Sequence, residues 1–495
     1  MKKIFLIACA LCMGIALMAQ KGHKIEIQVK GLSDTTLLLG HHYGSKKLVS
    51  DTIHVDKKGY GVVEGDTLLN PGIYLVLTPE MRFFEIIIDK DQHFKVVTNV
   101  DDLFGNLTVK KSEENEVFHN YQLQNAQINK TRRPIVEKLK TYMSADTSEY
   151  SQKQLTVRRD SISILREELE ELNVKRKELE KNIIEEYPES LLASVLNTMS
   201  ELEVPDYPRD EDGNITDSLF KYNYMREHYF DRVDFADDRL LRTPVYEMKI
   251  NQYFDKELIQ VPDSIIPEVN RVLGRILEEE DEGYEGEVYY FTLHNLFMKY
   301  QNPKYMGFDN IFVYLIEQYY LKNKVPERIA TDSAYMAQIE DRYKKMSKNR
   351  IGVTAPDLQL YSNNDTWKKI NSIEADVTML YFYDIDCGHC KKVIPEWHTL
   401  YTENNLREKG VETVYIYTQT DMEKWKEFIN EKKLESSGIH LFDPYQNTDF
   451  RTLYDIYSTP VSYILDKDKK IVAKRLPPET ILEVVQHELG IEDTE

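Results

Sequence analysis

The stretch VTMLYFYDIDCGHCKKVIP, residues 377–395, decides how the last third of this chain folds. Its first part, Val377–Tyr383, is an unbroken run of apolar and β-favouring residues, which predicts a buried strand. A helical pattern begins at Cys387 and continues to about Leu406. The sequence therefore predicts a strand that leads into a helix, with Cys387 and Cys390 at the junction.

Cys387 is the candidate nucleophile, because disulfides are attacked by a thiolate and the first cysteine of such a pair must ionise readily. Unpaired backbone N–H groups and the helix dipole stabilise an anion at a helix N-terminus. The charge of Lys391, and of His389 when protonated, should lower the pKa of Cys387 further. Asp384 and Asp386 lie just upstream and would raise that pKa if they approached the sulfur.

Cys390 is the candidate resolving cysteine. A residue three positions along a helix returns to the same face, so its thiol can reach the Cys387 sulfur. A zinc site is the structural alternative, but it needs four ligands, and the only other cysteines, Cys9 and Cys12, lie in an N-terminal segment with the features of a cleaved leader. His389 and His398 are not spaced to complete one. We therefore expect a dithiol that needs no metal and no cofactor.

The beginning of the chain reads as a secretory signal peptide. Lys2 and Lys3 precede an apolar run, residues 4–18, and a small-residue cleavage point near Ala19. The run is too short and wrongly flanked for a membrane span, and no later stretch reaches the required length. A lipid anchor on Cys9 is the alternative that this leader leaves open. Either interpretation predicts export, with the periplasm as the expected compartment.

Composition narrows the classes of function. A chain of 495 residues exceeds what one core usually organises, so several domains are expected. The formal net charge of −21 argues against nucleic acid and anionic membranes as partners. Exported proteins normally use cysteines as structural staples, yet outside the predicted leader, which holds Cys9 and Cys12, the only cysteines are Cys387 and Cys390. The pair is therefore expected to react rather than to brace the fold.

The first domain, residues 20–111, has a β pattern. Short alternating or apolar runs are separated by Gly, Asp, Asn and Pro turns, which predicts a β-sandwich or a small barrel. His41 and His42 are adjacent and would point to opposite faces of a strand, with no third ligand nearby. We interpret them as surface-loop residues rather than as a metal site.

The middle domain, residues 112–349, is expected to be all helical and to begin at Ser112. Apolar residues recur at three- and four-residue steps between Leu155 and Ile183, which predicts a long amphipathic helix. Two interpretations stay open, namely a coiled-coil homodimer and packing against a neighbouring helix. No fixed repeat is present, so a solenoid is not supported.

The third domain, residues 350–495, alternates strands and helices and ends in a predicted hairpin, Val461–Leu465 and Ile471–Lys474, followed by a helix. It resembles the thioredoxin fold of exported thiol–disulfide oxidoreductases of the TlpA/ResA-like type. The resemblance rests on Cys387–Pro395, on the entry motif Ala355–Asp357 and on Thr459–Pro460 before the hairpin. The fold class expected for the whole chain is thus an N-terminal β-sandwich, an all-α middle domain and a C-terminal α/β thioredoxin fold.

That resemblance implies roles for particular residues. Cys387 would be the nucleophile and Cys390 the resolving cysteine, while Thr459 and Pro460 would bind substrate at the family's cis-proline loop. The order of domains is also similar to envelope proteins of Bacteroidetes-type bacteria. Two departures affect the transfer: Asp386 replaces the usual aromatic residue before the first cysteine, and the buried acid of the preceding strand is replaced by a tyrosine at position 381.

Two functions from different classes follow. The first is a periplasmic oxidoreductase that reduces or isomerises disulfides of exported proteins and receives electrons from an envelope donor. The second is an envelope interaction or scaffold protein that uses the thioredoxin fold for docking, because residues 20–349 show no catalytic constellation. The Cys-Gly-His-Cys sequence also resembles that of protein disulfide isomerases, so the direction of electron flow stays open.

Overall fold

A computed structural model of the chain describes residues 22–146, 150–303 and 305–491. The predicted signal peptide, residues 1–19, and Cys9 lie outside these ranges. The chain divides into two compact units: one runs up to Leu258 and includes Glu278–Asp281, and the other comprises Ile259–Leu277 and the chain from Glu282 onward. The predicted domain boundaries at residues 111 and 349 stay predictions.

The N-terminal region is a β-sandwich, as the alternating pattern predicted. Its strands form two four-stranded sheets, ordered β4-β1-β7-β8 and β3-β2-β5-β6. Inward-facing residues of both sheets, such as Ile25, Ile27, Leu39 and Val76, share one core. The strands are β1 His23–Lys30, β2 Thr35–Tyr43, β3 Lys46–Val55, β4 Tyr60–Gly65, β5 Gly72–Leu77, β6 Phe83–Ile88, β7 His93–Asn99 and β8 Thr108–Lys110.

The surface-loop interpretation of His41 and His42 is wrong. Both residues lie within β2, and His42 is buried, with 5% of its surface exposed. His41 contacts the Ser50 hydroxyl at 2.6 Å across the β2–β3 pair. The loop interpretation failed because the absence of a third metal ligand says nothing about burial, and the tertiary fold buried the side chain of His42. Within the described ranges, no cluster of three or more His, Cys, Asp or Glu side chains could hold a metal ion.

The middle of the chain is helical, as expected. The first helix begins after Ser112, whose side chain accepts a hydrogen bond from the backbone N–H of Asn115. Two π-helical turns, Tyr253–Glu257 and Ile316–Tyr320, continue α5 and α8. The helices are α1 Glu113–Ser144, α2 Gln152–Glu186, α3 Leu191–Met199, α4 Phe220–His228, α5 Val245–Gln252, α6 Pro262–Glu280, α7 Glu287–Gln301, α8 Asp309–Leu315, α9 Glu327–Ala330 and α10 Ser333–Met346.

The long amphipathic helix is α2, and it packs against α1 as an antiparallel hairpin. Near one end, Arg158 donates to the backbone carbonyl of Tyr142 at 2.8 Å. Towards the other end, the hydroxyl of Tyr121 lies 3.5 Å from a carboxylate oxygen of Glu180. The seam residues Leu165, Leu172 and Ile183 are buried. Packing on a neighbouring helix is therefore present in the monomer, and the homodimer stays a prediction.

The C-terminal region is an α/β fold around a seven-stranded sheet ordered β10-β9-β13-β12-β11-β14-β15. The strands β11, β12 and β13 run parallel, and β14 pairs antiparallel with β11. The elements are β9 Gln359–Ser362, β10 Trp367–Lys369, β11 Val377–Tyr383, α11 Cys390–Glu403, β12 Val411–Tyr417, α12 Met422–Glu431, β13 Ile439–Phe442, α13 Phe450–Leu453, β14 Val461–Leu465, β15 Ile471–Lys474 and α14 Pro478–Glu488.

Strand β11 is central to this region. All of its residues are buried, and they alternate between two cores on opposite faces of the sheet. Met379, Tyr381 and Tyr383 face one core, whereas Leu380 and Phe382 face the other. A strand buried on both faces reads as the continuous apolar run seen in the sequence. No helix in the described part of the chain is long and apolar enough to cross a membrane.

Candidate active site

The two cysteines lie directly after β11, at the carboxyl end of a central parallel strand, where α/β folds usually place their reactive groups. The α-helix begins at Cys390, so Cys387 occupies the turn before it rather than the first helical position. The backbone is nevertheless already coiling there, because the carbonyl of Cys387 accepts a hydrogen bond from the N–H of Lys391 at 3.1 Å. Pro395 lies inside the same helix.

The two sulfurs differ in accessibility. Cys387 is partly exposed, whereas Cys390 is fully buried, and both are free thiols. The Cys387 thiol donates to the backbone carbonyl of Thr459 at 3.2 Å. An incoming disulfide can therefore reach Cys387 first, and Cys390 only after that.

The surroundings of the sulfurs separate their acidities. Partial burial by itself would raise the pKa of Cys387, but hydrogen bonds from the backbone N–H and thiol of Cys390, from the Thr459 side chain and from the His389 backbone N–H outweigh it. The pKa of Cys387 is consequently lowered. Burial raises the pKa of Cys390 to about 11. Cys387 therefore ionises more readily than an ordinary cysteine, whereas Cys390 keeps its proton at neutral pH.

The other predicted site residues lie around this pair. Thr459 contacts the Cys387 sulfur, and the peptide bond between Thr459 and Pro460 is cis. His389 and Lys391 are exposed on either side of Cys390. His389 acts on the Cys387 sulfur through its backbone N–H. Substrate binding by Thr459 and Pro460, and pKa tuning by the side chains of His389 and Lys391, stay predictions.

Asp384 is fixed by neighbouring hydrogen-bond donors. One carboxylate oxygen accepts from the backbone N–H of Asp386 at 2.9 Å. The other accepts from the side-chain amide of Gln419 at 2.8 Å. Sequence reasoning missed Gln419, although its place just after a buried parallel strand marks a residue that reaches this edge of the sheet.

The expected difference between the two thiols can be measured by alkylation. In the reduced protein, iodoacetamide should modify Cys387 at lower pH than an ordinary cysteine, whose pKa is 9.0, because the Cys387 thiolate is stabilised. Cys390 should stay unmodified until the pH approaches 11. Mass spectrometry of the digested protein gives the rate at each sulfur, with a short cysteine peptide as the unassisted control. A Cys387 rate that follows the control peptide would contradict the assignment.

Comparison with known proteins agrees with this geometry. A family model described as thioredoxin-like matches residues 375–471. The chain belongs to the thioredoxin-like family through this domain. The resemblance inferred from the sequence around Cys387 is thereby confirmed. Two further models, both described as domains of unknown function, match residues 23–118 and 179–349.

Solved structures related to the thioredoxin-like domain come from Cytophaga and Bacteroides. The chain is 34% identical to a domain of a possible thiol-disulfide isomerase from Cytophaga hutchinsonii, over 28% of this chain and 95% of that one, with a TM-score of 0.27. A thioredoxin-like protein from Bacteroides caccae is 17% identical, over 58% and 99% of the two chains, with a TM-score of 0.42. The thioredoxin domain of a thiol-disulfide oxidoreductase from Bacteroides vulgatus is 23% identical, over 28% and 97%, with a TM-score of 0.26. No curated protein matches the chain.

Proposed function

We propose that this chain is a periplasmic thiol–disulfide oxidoreductase that reduces or isomerises disulfides of exported proteins. The observation that carries the proposal is the asymmetry of the dithiol: Cys387 is accessible with a lowered pKa, and Cys390 is buried with a raised one. A pair that only braced the fold would need no such difference. An envelope protein would supply the electrons.

The chemistry proceeds in two displacements. The Cys387 thiolate attacks a client disulfide, whose S–S bond breaks as a mixed disulfide forms, and the departing client sulfur takes up a proton. Cys390 then loses its proton and attacks the Cys387 sulfur, which releases the second client sulfur. The client gains two electrons and the protein ends with a Cys387–Cys390 disulfide, which the electron donor reduces again.

Burial of Cys390 sets the order of these steps. Because its thiol keeps its proton in the resting state, it does not compete with Cys387 for the client. Its position on the first turn of α11 keeps it beside Cys387, so the second displacement is intramolecular. Short-lived mixed disulfides are therefore expected in the wild-type protein.

A redox titration tests the proposal. The reduced chain is equilibrated with mixtures of glutathione and glutathione disulfide, and the fraction of oxidised dithiol is measured by mass spectrometry after acid quenching. We expect reversible two-electron cycling within the range of known oxidoreductase couples, roughly −270 to −120 mV. A dithiol locked in one state at every ratio would contradict the proposal and favour the scaffold function.

A further inference from the structure

Large apolar side chains lie along the edge of the sheet that carries Cys387. Strands β11, β12 and β13 are parallel neighbours, so their carboxyl ends meet at one edge. The segment after β11 carries Cys387, the segment after β12 carries Met422, and the segment after β13 carries Tyr445. The nucleophile and two large side chains thus follow one another in the order of the strands.

Hydrogen bonds hold these three segments side by side. The side chain of Gln419, after β12, donates to the carboxylate of Asp384, after β11, at 2.8 Å. Arg451, after β13, donates to the backbone carbonyl of Thr418, at the end of β12, at 2.9 Å. The edge is therefore one continuous surface rather than three independent loops.

The side chains on this surface are unusually exposed. Met422 is 39% exposed and Tyr445 is 73% exposed. Trp367, at the start of β10, is 47% exposed and stacks on Tyr445, with ring centroids 6.3 Å apart and an interplanar angle of 22°. The ring of Tyr361 packs edge to face against the indole of Trp367, with ring centroids 5.2 Å apart. We call Trp367, Met422 and Tyr445 the aromatic edge.

Comparison with the rest of the domain sets the aromatic edge apart. Within the described residues 350–491, the only other large apolar side chain with comparable exposure is Tyr457. The ammonium group of Lys345 covers the ring of Tyr457 at 5.3 Å. In the aromatic edge, by contrast, Trp367 and Tyr445 stack on each other and both stay exposed, which is typical of a surface that binds a partner.

Carboxylates lie next to Cys387 and next to Met422: Asp384 and Asp386 precede Cys387, and Asp421 precedes Met422. Burial, and then the charges of Asp384, Asp421 and Asp386, raise the pKa of Tyr417, at the end of β12, to about 12. Lys424 neutralises one of them, Asp421, at 3.1 Å. A partner that crosses this stretch is favoured if it carries positive charge.

The spacing fits an extended peptide. Neighbouring strands lie about 4.8 Å apart, so β13 is about 10 Å from β11. An extended chain covers that distance in about three residues. A client whose cysteine is at Cys387 could therefore place a side chain about three residues away at the segment after β13, which carries Tyr445.

We propose that the aromatic edge binds the client polypeptide beside its disulfide, as an extended basic segment with an aromatic or large apolar side chain about three residues from the reactive cysteine. This inference rests on the proposed oxidoreductase function and adds a sequence preference to it. Stacking on Trp367 and Tyr445 would supply binding energy, and Asp384 and Asp386 would favour lysine or arginine next to the cysteine.

Peptide substrates test the inference directly. The substrates are a series of basic peptides, each with one cysteine that is joined to glutathione through a disulfide. Each peptide carries one tryptophan, and its position relative to the cysteine differs from peptide to peptide. A serine replaces the tryptophan in the matched reference peptide. Dithiothreitol re-reduces the dithiol, and the release of glutathione gives kcat/KM. We expect the best tryptophan peptide to be reduced about tenfold more efficiently than the serine peptide.

Variants assign that preference to the surface. Trp367→Ala and Tyr445→Ala should each remove most of the tenfold preference, while turnover of glutathione disulfide stays at the wild-type rate. Tyr305→Ala, which removes a 57% exposed ring outside the thioredoxin-like domain, should retain the preference.

The inference is overturned if the wild type shows no preference for tryptophan, or if the preference survives both substitutions. If a variant keeps the preference but sediments as a smaller assembly than the wild type, the aromatic edge binds a second copy of the chain instead. If the wild type does not reduce glutathione disulfide at all, the oxidoreductase function itself is contradicted.

Discussion

The Cys390→Ser variant is expected to accumulate mixed disulfides with client proteins, and the Cys387→Ser variant is expected to accumulate none. In the first variant the Cys387 thiolate still attacks, but no buried thiol remains to release the client. In the second, the remaining thiol of the pair, Cys390, is buried and has a pKa of about 11. At pH 7 only about one in ten thousand such thiols is ionised, so turnover should fall to background.

The measurement is a non-reducing gel of each variant purified from cells after acid quenching, with dithiothreitol to release the trapped partners. A chain in which both cysteines are serine is the matched control for association without a covalent bond. Equal trapping by the two single variants would invalidate the roles assigned to Cys387 and Cys390. Trapping by Cys387→Ser alone would reverse them.

The second large effect concerns stability. Lys474, on edge strand β15, donates to a carboxylate oxygen of Asp309 at the start of α8, and also to the backbone and side-chain oxygens of Asn349 at 2.9 and 3.2 Å. The side chains of Lys474 and Asp309 are only 12% and 4% exposed. Burial lowers the pKa of Lys474, and the charge of Asp309 opposes that shift.

We expect Lys474→Met to destabilise this unit by about 3–5 kcal/mol, because it leaves the carboxylate of Asp309 buried without its cation. The double variant Lys474→Met/Asp309→Leu should recover most of that loss, since no unpaired charge remains. Lys344→Met removes a pair whose lysine is 69% exposed and should change stability by no more than about 1 kcal/mol.

Urea unfolding followed by tryptophan fluorescence measures these changes. The chain has three tryptophans, Trp367, Trp397 and Trp425, and all of them lie in the thioredoxin-like domain that contains β15. Their fluorescence therefore reports unfolding around Lys474. A midpoint shift for Lys474→Met no larger than that of Lys344→Met would show that the buried pair does not stabilise the domain.

Local sequence patterns were sufficient where the structure depends on near neighbours. The run Val377–Tyr383 is strand β11 with the predicted bounds, and the hairpin strands Val461–Leu465 and Ile471–Lys474 are likewise present as β14 and β15. The amphipathic pattern from Leu155 to Ile183 lies within α2. In each case the spacing of apolar residues within a short segment is enough to predict the element.

The same patterns were insufficient at the edges of the sheet. Strands β9 and β10 were missed because both are short: β9 has four residues, Gln359–Ser362, and the edge strand β10 has three, Trp367–Lys369, all of them exposed. A short edge strand has no buried face and thus no period in its sequence. The stacking of Trp367 on Tyr445 depends on those strands, so the aromatic edge could not be predicted.

The sequence by itself determined that two thiols follow a buried strand, because strand propensity and cysteine spacing are local properties. Only the tertiary structure decided that Cys390 is fully buried while Cys387 is not, that Thr459 lies 3.2 Å from the Cys387 sulfur, and that Lys474 pairs with a residue 165 positions earlier. Burial, and the pKa shifts that it causes, depend on which distant segments pack together. The residues next to each cysteine do not show which distant segments will pack against it.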